Sequence, residues 1–235
     1  MDLQLKGKVF VVGGGEGDIG RAITSALEAE GARVVTLDLA IGHDLSNPEG
    51  VRSIFQDLRS RYALIHGYCS SVVGGVVAKK PLDVTPGDME QTLQNTLLAA
   101  VYPIQEAARW MIETGGGTIV VIGTINAKLG LGEFAYDIAK GAVHRIAPDL
   151  ATLYASQGLQ ALTLCPGTVY PTHWWEGHED ALDGVRAHIP DGKVTTPQEV
   201  AAAVAFLMSP YGAMFNGAEI YADRGWSLRP PFTKV

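Results

Sequence analysis

Short runs rich in β-branched residues alternate along this chain with longer stretches whose apolar positions recur every three or four residues. The short runs predict strands at residues 8–12, 33–37, 64–70, 118–122, 160–165 and 219–222. The longer stretches predict helices at 19–30, 48–61, 89–113, 134–156 and 197–208. Punctuation agrees with this division. Gly31 can cap the first helix, and Ser46 or Asn47 can open the second with Pro48 in its first turn. Gly115-Gly116-Gly117 interrupts the chain before the fourth strand. Pro103 and Pro148 fall inside predicted helices, where each removes a backbone donor and predicts a kink or a break. Strand–helix alternation implies right-handed crossovers and a doubly wound parallel sheet with helices on both faces. No linker, repeat or low-complexity segment divides residues 1–235, so one domain is expected. Ligands of such sheets sit outside the carboxyl ends of the strands, which is where chemistry is to be sought.

Composition narrows the function. At 47% hydrophobic and 18% charged, the chain suits a sheet buried on both faces. A net charge of −7 opposes a nucleic-acid or anionic-membrane partner, because phosphate binding needs a basic surface. No apolar run approaches the ~20 residues that cross a bilayer, and residues 1–8 lack the apolar core of a secretory signal. Cys69 and Cys165 lie in or beside apolar runs and are expected to be buried thiols, which favours a reducing compartment. A cytoplasmic protein is expected.

Candidate chemistry starts directly after the first strand, where Gly13-Gly14-Gly15-Glu16-Gly17-Asp18-Ile19-Gly20 opens the first helix. Glycines there allow a tight turn and let a pyrophosphate approach the helix N-terminus, where free N–H groups and the dipole favour an anion. Gly15, Gly17 and Gly20 satisfy G-x-G-x-x-G with the required strand before and helix after. The context predicts a Rossmann-type dinucleotide site that includes Gly14, Gly17, Asp18, Ile19 and Gly20. Asp38 ends the second strand, 18 residues beyond Gly20. Its carboxylate can accept hydrogen bonds from both adenosine ribose hydroxyls and would repel a 2′-phosphate, with Glu16 adding to that repulsion. NAD is therefore expected over NADP. Asp44 and Leu45 can pass beside the adenine.

A second constellation lies in the predicted helix at 134–156. Tyr136 and Lys140 are four residues apart and share a face. Free tyrosine, with a pKa of about 10, is a poor base near neutrality; a nearby cation stabilises the phenolate by ~1.4 kcal/mol per unit of lowering.

With both features present, the chain resembles the short-chain dehydrogenase/reductase family along essentially its whole length. That family carries a T-G-x-x-x-G-x-G turn, a catalytic asparagine, a serine before Y-x-x-x-K, a Pro-Gly after its sixth strand and a terminal D-G-G. Gly14 and Gly20 match the turn, Tyr136 and Lys140 the pair, and Asn95 the asparagine of the long fourth-crossover helix. Pro166-Gly167 matches the later motif, Asp223-Arg224-Gly225 resembles D-G-G, and residues 197–208 resemble the P-x-E-V-A helix. The chain departs from the family at three places. Gly13 replaces the threonine and Asp18 the second glycine of the turn. Ser70-Ser71-Val72-Val73 stands for the N-N-A-G that follows the family's fourth strand, where the backbone contacts the cofactor. The serine position, thirteen before the tyrosine, is Gly123, with Thr124 twelve before; a one-residue shortening of the loop at 128–133 aligns Thr124 with the serine. A threonine hydroxyl has the same donor and acceptor capacity.

The resemblance implies that Tyr136 is the general acid in reduction or base in oxidation, and that Thr124 holds the substrate oxygen. It implies that Lys140 lowers the phenol's pKa and binds the nicotinamide ribose, and that Asn95 anchors a water of a proton relay. Ser70, Ser71, Tyr136, Lys140, Pro166, Gly167, Thr168 and Val169 complete the implied NAD contacts, with Thr168 or Thr172 facing the nicotinamide amide. The aromatic segment Tyr170-Pro171-Thr172-His173-Trp174-Trp175 belongs to a loop at about 168–194 that covers substrate in the family. Packing of these aromatics in the core or a subunit contact is the alternative. His173, His178 and His188 match no zinc spacing, so no metal is expected. The expected partner is a small alcohol or carbonyl compound, and the family implies a homodimer or homotetramer. Competing readings are non-redox chemistry on this scaffold, such as a dehalogenase or epimerase, and a nucleotide-binding regulatory protein.

Overall fold

The computed structural model describes residues 1–75 and 79–228. Six parallel strands form one sheet: β1 (Val9–Gly13), β2 (Arg33–Leu37), β3 (Gly67–Ser70), β4 (Gly117–Ile122), β5 (Leu159–Pro166) and β6 (Glu219–Ala222). Their order is β2-β1-β3-β4-β5-β6. The helices are α1 (Asp18–Ala29), α2 (Pro48–Arg61), α3 (Pro86–Thr92), α4 (Ala99–Glu113), α5 (Phe134–His144), α6 (Ile146–Tyr154), α7 (Leu182–His188) and α8 (Pro197–Leu207). Among the described residues no helix is long and apolar enough to cross a membrane.

Alternation along each strand feeds two cores. Val9 and Val11 of β1 pack with Phe55 of α2 and Trp110 and Met111 of α4 on one face. Phe10 and Val12 pack with Ile23 and Leu27 of α1 and Val200 and Val204 of α8 on the other. A sheet covered on both sides leaves only its strand ends open to ligands.

All six predicted strands form; β2 and β6 keep the predicted ends, and the other four are shifted. The largest shift is in β3, which starts at Gly67 rather than residue 64. The His66 imidazole accepts the Val9 N–H at 3.0 Å, so a side chain takes the place of a ladder bond there. Two predicted helices are divided. The one expected at 89–113 starts earlier, at Pro86, because Thr85 and Asp88 form a reciprocal capping box. It then widens into a π-helical turn, Leu93–Leu98, before continuing as α4. Pro103 lies within α4, and its missing donor falls at Ala99, where the π turn ends. The helix expected at 134–156 breaks at Arg145 into α5 and α6, because Pro148 has no N–H to offer the carbonyl of His144.

Between β2 and α2 the chain makes only a three-residue turn, Leu39–Ile41, and adds no strand outside β2. Dinucleotide folds commonly carry a third strand in that half. The counterpart of N-N-A-G therefore follows β3, and Pro166 ends β5; the family's fourth and sixth strands are the third and fifth here.

Candidate active site

The strand order reverses between β1 and β3, and the carboxyl ends of these strands meet there, with Ser71 N donating to Gly13 O at 2.8 Å. A crevice of about 1040 Å³ opens at this switch point. Every sequence-predicted site residue lines it except Ser70, which is buried within β3. Ser71, the next residue, takes its place on the wall.

At one end the glycine turn forms a cradle. Gly14 has φ +74°, and a Cβ there would lie 2.6 Å from Ser71 O. A Cβ on Gly20 would lie 2.0 Å from Gly14 O. Gly17 caps α1 without a side-chain bond, which leaves the first-turn N–H groups directed at the crevice. Gly13 is explained by packing, since a Cβ there would meet the Tyr68 hydroxyl at 2.1 Å. Asp38 accepts Glu16 N–H at 3.1 Å and Ala40 N–H at 2.9 Å, one on each oxygen, and faces the same crevice. Nearby, the buried Nδ1 of His43 has no hydrogen-bond partner among the described residues. An open helix N-terminus, a backbone cradle, a crevice-facing carboxylate and an orphaned ring nitrogen fit an adenine dinucleotide.

Asp18 behaves differently from its neighbours. Its carboxylate turns toward the aromatic loop and takes the His173 N–H at 2.8 Å and ring Nδ1 at 2.7 Å. Burial alone would raise its pKa; the two contacts with His173 outweigh this and lower it. Asp18 thus ties the loop to the glycine turn. That loop is pinned at its base by Tyr170 N–H to Thr195 O at 2.8 Å and contains α7. Trp174 stacks on His178 while Trp175 donates to Val169 O. His188 packs against Trp226, and both rings line the crevice.

At the other end, α5 presents Tyr136 and Lys140. Lys140 is 4% exposed, and its Nζ donates to Ile122 O at 2.9 Å and Val72 O at 3.2 Å. Burial pulls its pKa down to about 8. Burial also raises the Tyr136 phenol above its ordinary value, partly offset by the Thr124 hydroxyl beside it. The phenol is therefore protonated near neutrality. Thr124, just past β4, donates its hydroxyl to Asn126 Oδ1 at 3.1 Å. Asn126 Nδ2 in turn bridges Glu133 and Asp137, at 3.0 Å each. Burial, then Asp137, raises the pKa of Glu133 against the Asn126 bond. Gly123 has no room for a serine, because a Cβ there would lie 2.4 Å from His144 Nε2. Asn95 sits in the π turn, and its Cβ would lie 2.6 Å from any Cβ on Gly74. Local widening at a π turn often marks a functional position.

Sequence reasoning missed several lining residues, His43, Asn126, Glu133 and Trp226, and weighed His188 only as a metal ligand and as part of the covering loop. Only Asn126 and Glu133 carried a usable signal, as polar residues in the shortened segment between Thr124 and Tyr136.

The comparisons accord with this geometry. The family model described as enoyl-(acyl carrier protein) reductase matches residues 37–227. Acetoacetyl-CoA reductase from Synechocystis sp. is 31% identical over 96% of this chain and 98% of that protein. D-threitol dehydrogenase from Mycolicibacterium smegmatis is 28% identical over 97% and 96%. The ligand-free structure of Thermoplasma acidophilum aldohexose dehydrogenase superposes with a TM-score of 0.90 at 26% identity, covering 98% of each chain. The chain therefore belongs to the short-chain dehydrogenase/reductase family of oxidoreductases, enzymes that work with a nicotinamide cofactor.

Proposed function

We propose that this protein is an NAD-dependent dehydrogenase or reductase that interconverts a small, uncharged secondary alcohol and its carbonyl compound. The observation that carries the reading is one crevice joining the Asp38 carboxylate, through the glycine cradle, to the Tyr136 phenol. In reduction Tyr136 gives its proton to the carbonyl oxygen, and in oxidation it takes one back. The Thr124 hydroxyl rotates from Asn126 to donate to the same oxygen, stabilising charge as it develops. Lys140 binds the nicotinamide ribose through the hydrogen its two carbonyl bonds leave over, and its charge favours the phenolate. Asn95 anchors a water behind them. The nicotinamide, when bound, supplies or accepts the hydride. The whole of 1–235 acts as one domain, the loop at 168–194 covers the substrate, and the protein works in the cytoplasm as a homodimer or homotetramer.

Asp38 and Glu16 at the adenosine end support NAD, because a 2′-phosphate would meet two carboxylates. Lys140 is the only lysine or arginine among the described residues lining the crevice, and it is committed. That supports a neutral substrate over a phosphorylated one or a coenzyme-A thioester. Titration by fluorescence with NADH and NADPH, followed by an alcohol and ketone panel, tests the reading. Tight NADH binding without turnover on a broad panel favours a regulatory protein instead.

Two expected results accompany it. Asp38→Asn is expected to improve NADPH affinity relative to NADH at least ~10-fold, about 1.4 kcal/mol; an unchanged ratio removes Asp38 from cofactor choice. Wild-type affinity for NADH is expected to weaken several-fold as pH rises through about 8. Lys140 carries its charge below that value and loses it above. A flat profile across this range, measured by fluorescence titration, separates Lys140 from ribose binding.

A further inference from the structure

Helix α5 carries a third polar group on the face of Tyr136 and Lys140. His144 follows Lys140 by four residues and is the last residue of the helix. It is 5% exposed, and its Nε2 accepts the backbone N–H of Thr124 at 3.1 Å. With Nε2 accepting, the neutral ring carries its proton on Nδ1. Glu219 Oε2 of β6 lies 3.6 Å from Nδ1, and Cys165 Sγ of β5 lies 3.7 and 3.8 Å from the two ring nitrogens. Helix α5 is thus joined to the end of β4 by Lys140 at Ile122 O and by His144 at Thr124 N. Gly123 completes the arrangement, because any side chain there would strike Nε2.

We propose that His144 is the positioning residue that sets Thr124 at the substrate oxygen, compensating for the absence of a hydroxyl at position 123. The inference rests on the reading of Thr124 as the substrate-holding hydroxyl. Glycine at 123 admits the imidazole, and the imidazole fixes the extended backbone of Thr124, φ −163° and ψ 155°. Its hydroxyl is thereby aimed beside the phenol. Only the neutral ring can do this, since protonation converts Nε2 from acceptor to donor. The charged and titratable groups facing the ring are Glu219, Cys165 and Lys140. Burial, with Lys140 adding, lowers the imidazole's pKa against the opposing pull of Glu219, so the neutral form persists to mildly acidic pH.

The test compares His144→Gln and His144→Leu with the wild type in kcat, KM, NADH affinity and the pH profile of kcat. The glutamine carbonyl accepts the Thr124 N–H and does not titrate. It is expected to keep kcat within about fivefold and to lose the acid limb expected of the wild type. Leucine lacks the acceptor and is expected to lower kcat by about 10- to 100-fold while NADH affinity stays unchanged. Equal acid limbs in wild type and His144→Gln overturn the proposal, as does wild-type kcat in His144→Leu. If the leucine variant does not fold, the glutamine profile alone decides. Thr124→Ala separates the two levels: full activity there defeats the hydroxyl reading itself. An inactive Thr124→Ala beside a fully active His144→Leu defeats only the role of His144.

Discussion

Tyr136→Phe is expected to lower kcat by about a thousandfold, with NADH affinity and melting temperature unchanged. The ring stays and only the hydroxyl leaves, so neither the crevice nor the α5 packing is disturbed. The size of the loss follows from the electrostatics. Burial keeps the phenol protonated, and Thr124 offsets this only in part. The Lys140 ammonium rests on Ile122 O and Val72 O, leaving one hydrogen for a ligand. Neither group can replace the phenol as donor: the threonine hydroxyl is far less acidic, and the lysine is turned to backbone carbonyls. Single-turnover decay of the NADH absorbance with the best carbonyl substrate measures the effect. A phenylalanine variant above a tenth of the wild-type rate removes Tyr136 from proton transfer.

The second large effect is expected at Gly20→Ala. Its Cβ would stand 2.0 Å from Gly14 O and 2.8 Å from Gly15 Cα, and both are backbone atoms that cannot swing aside. Gly14 itself is held at positive φ against Ser71, so the strain cannot pass to the neighbouring strand. We expect a stability loss of about 1–3 kcal/mol. We also expect NADH affinity to fall at least ~10-fold, because the displaced turn is the one proposed to receive the pyrophosphate. Gly17→Ala is the control, since its Cβ meets only Gly14 O, at an ordinary 3.6 Å. Its stability should stay within about 1 kcal/mol of wild type, the usual range for a helix cap. Denaturant titration and NADH fluorescence read both quantities. Wild-type values for Gly20→Ala refute the claim that position 20 must admit no side chain.

Much of the fold and roughly the outline of the site were legible from local chemistry. Strand and helix periods differ, so the order of elements follows from pattern alone, and all six strands form where apolar runs stand. The glycine turn was recognisable because only residues without Cβ atoms suit the close approach of Gly14 to Ser71. Tyr136 and Lys140 were recognisable because four residues make one helical turn.

Other features lie beyond any local signal. Periodicity is blind to the π turn that carries Asn95, since the widening adds one residue without changing residue types. Asp18 and His173 are 155 residues apart, and only the closing of the aromatic loop over α1 brings them together. His43, His188 and Trp226 come to the crevice from three separate segments.

The amino-acid order by itself determined the doubly wound parallel sheet, the dinucleotide turn and the phenol–amine pair, because each depends on neighbours within a turn or a strand. Spacing to Tyr136 pointed to Thr124, but only the tertiary structure decided what holds that hydroxyl beside the phenol. Position 123 is closed by an imidazole from the end of α5, and Thr124 is held by that same ring. Such a choice depends on volume shared between distant segments, which no local pattern encodes.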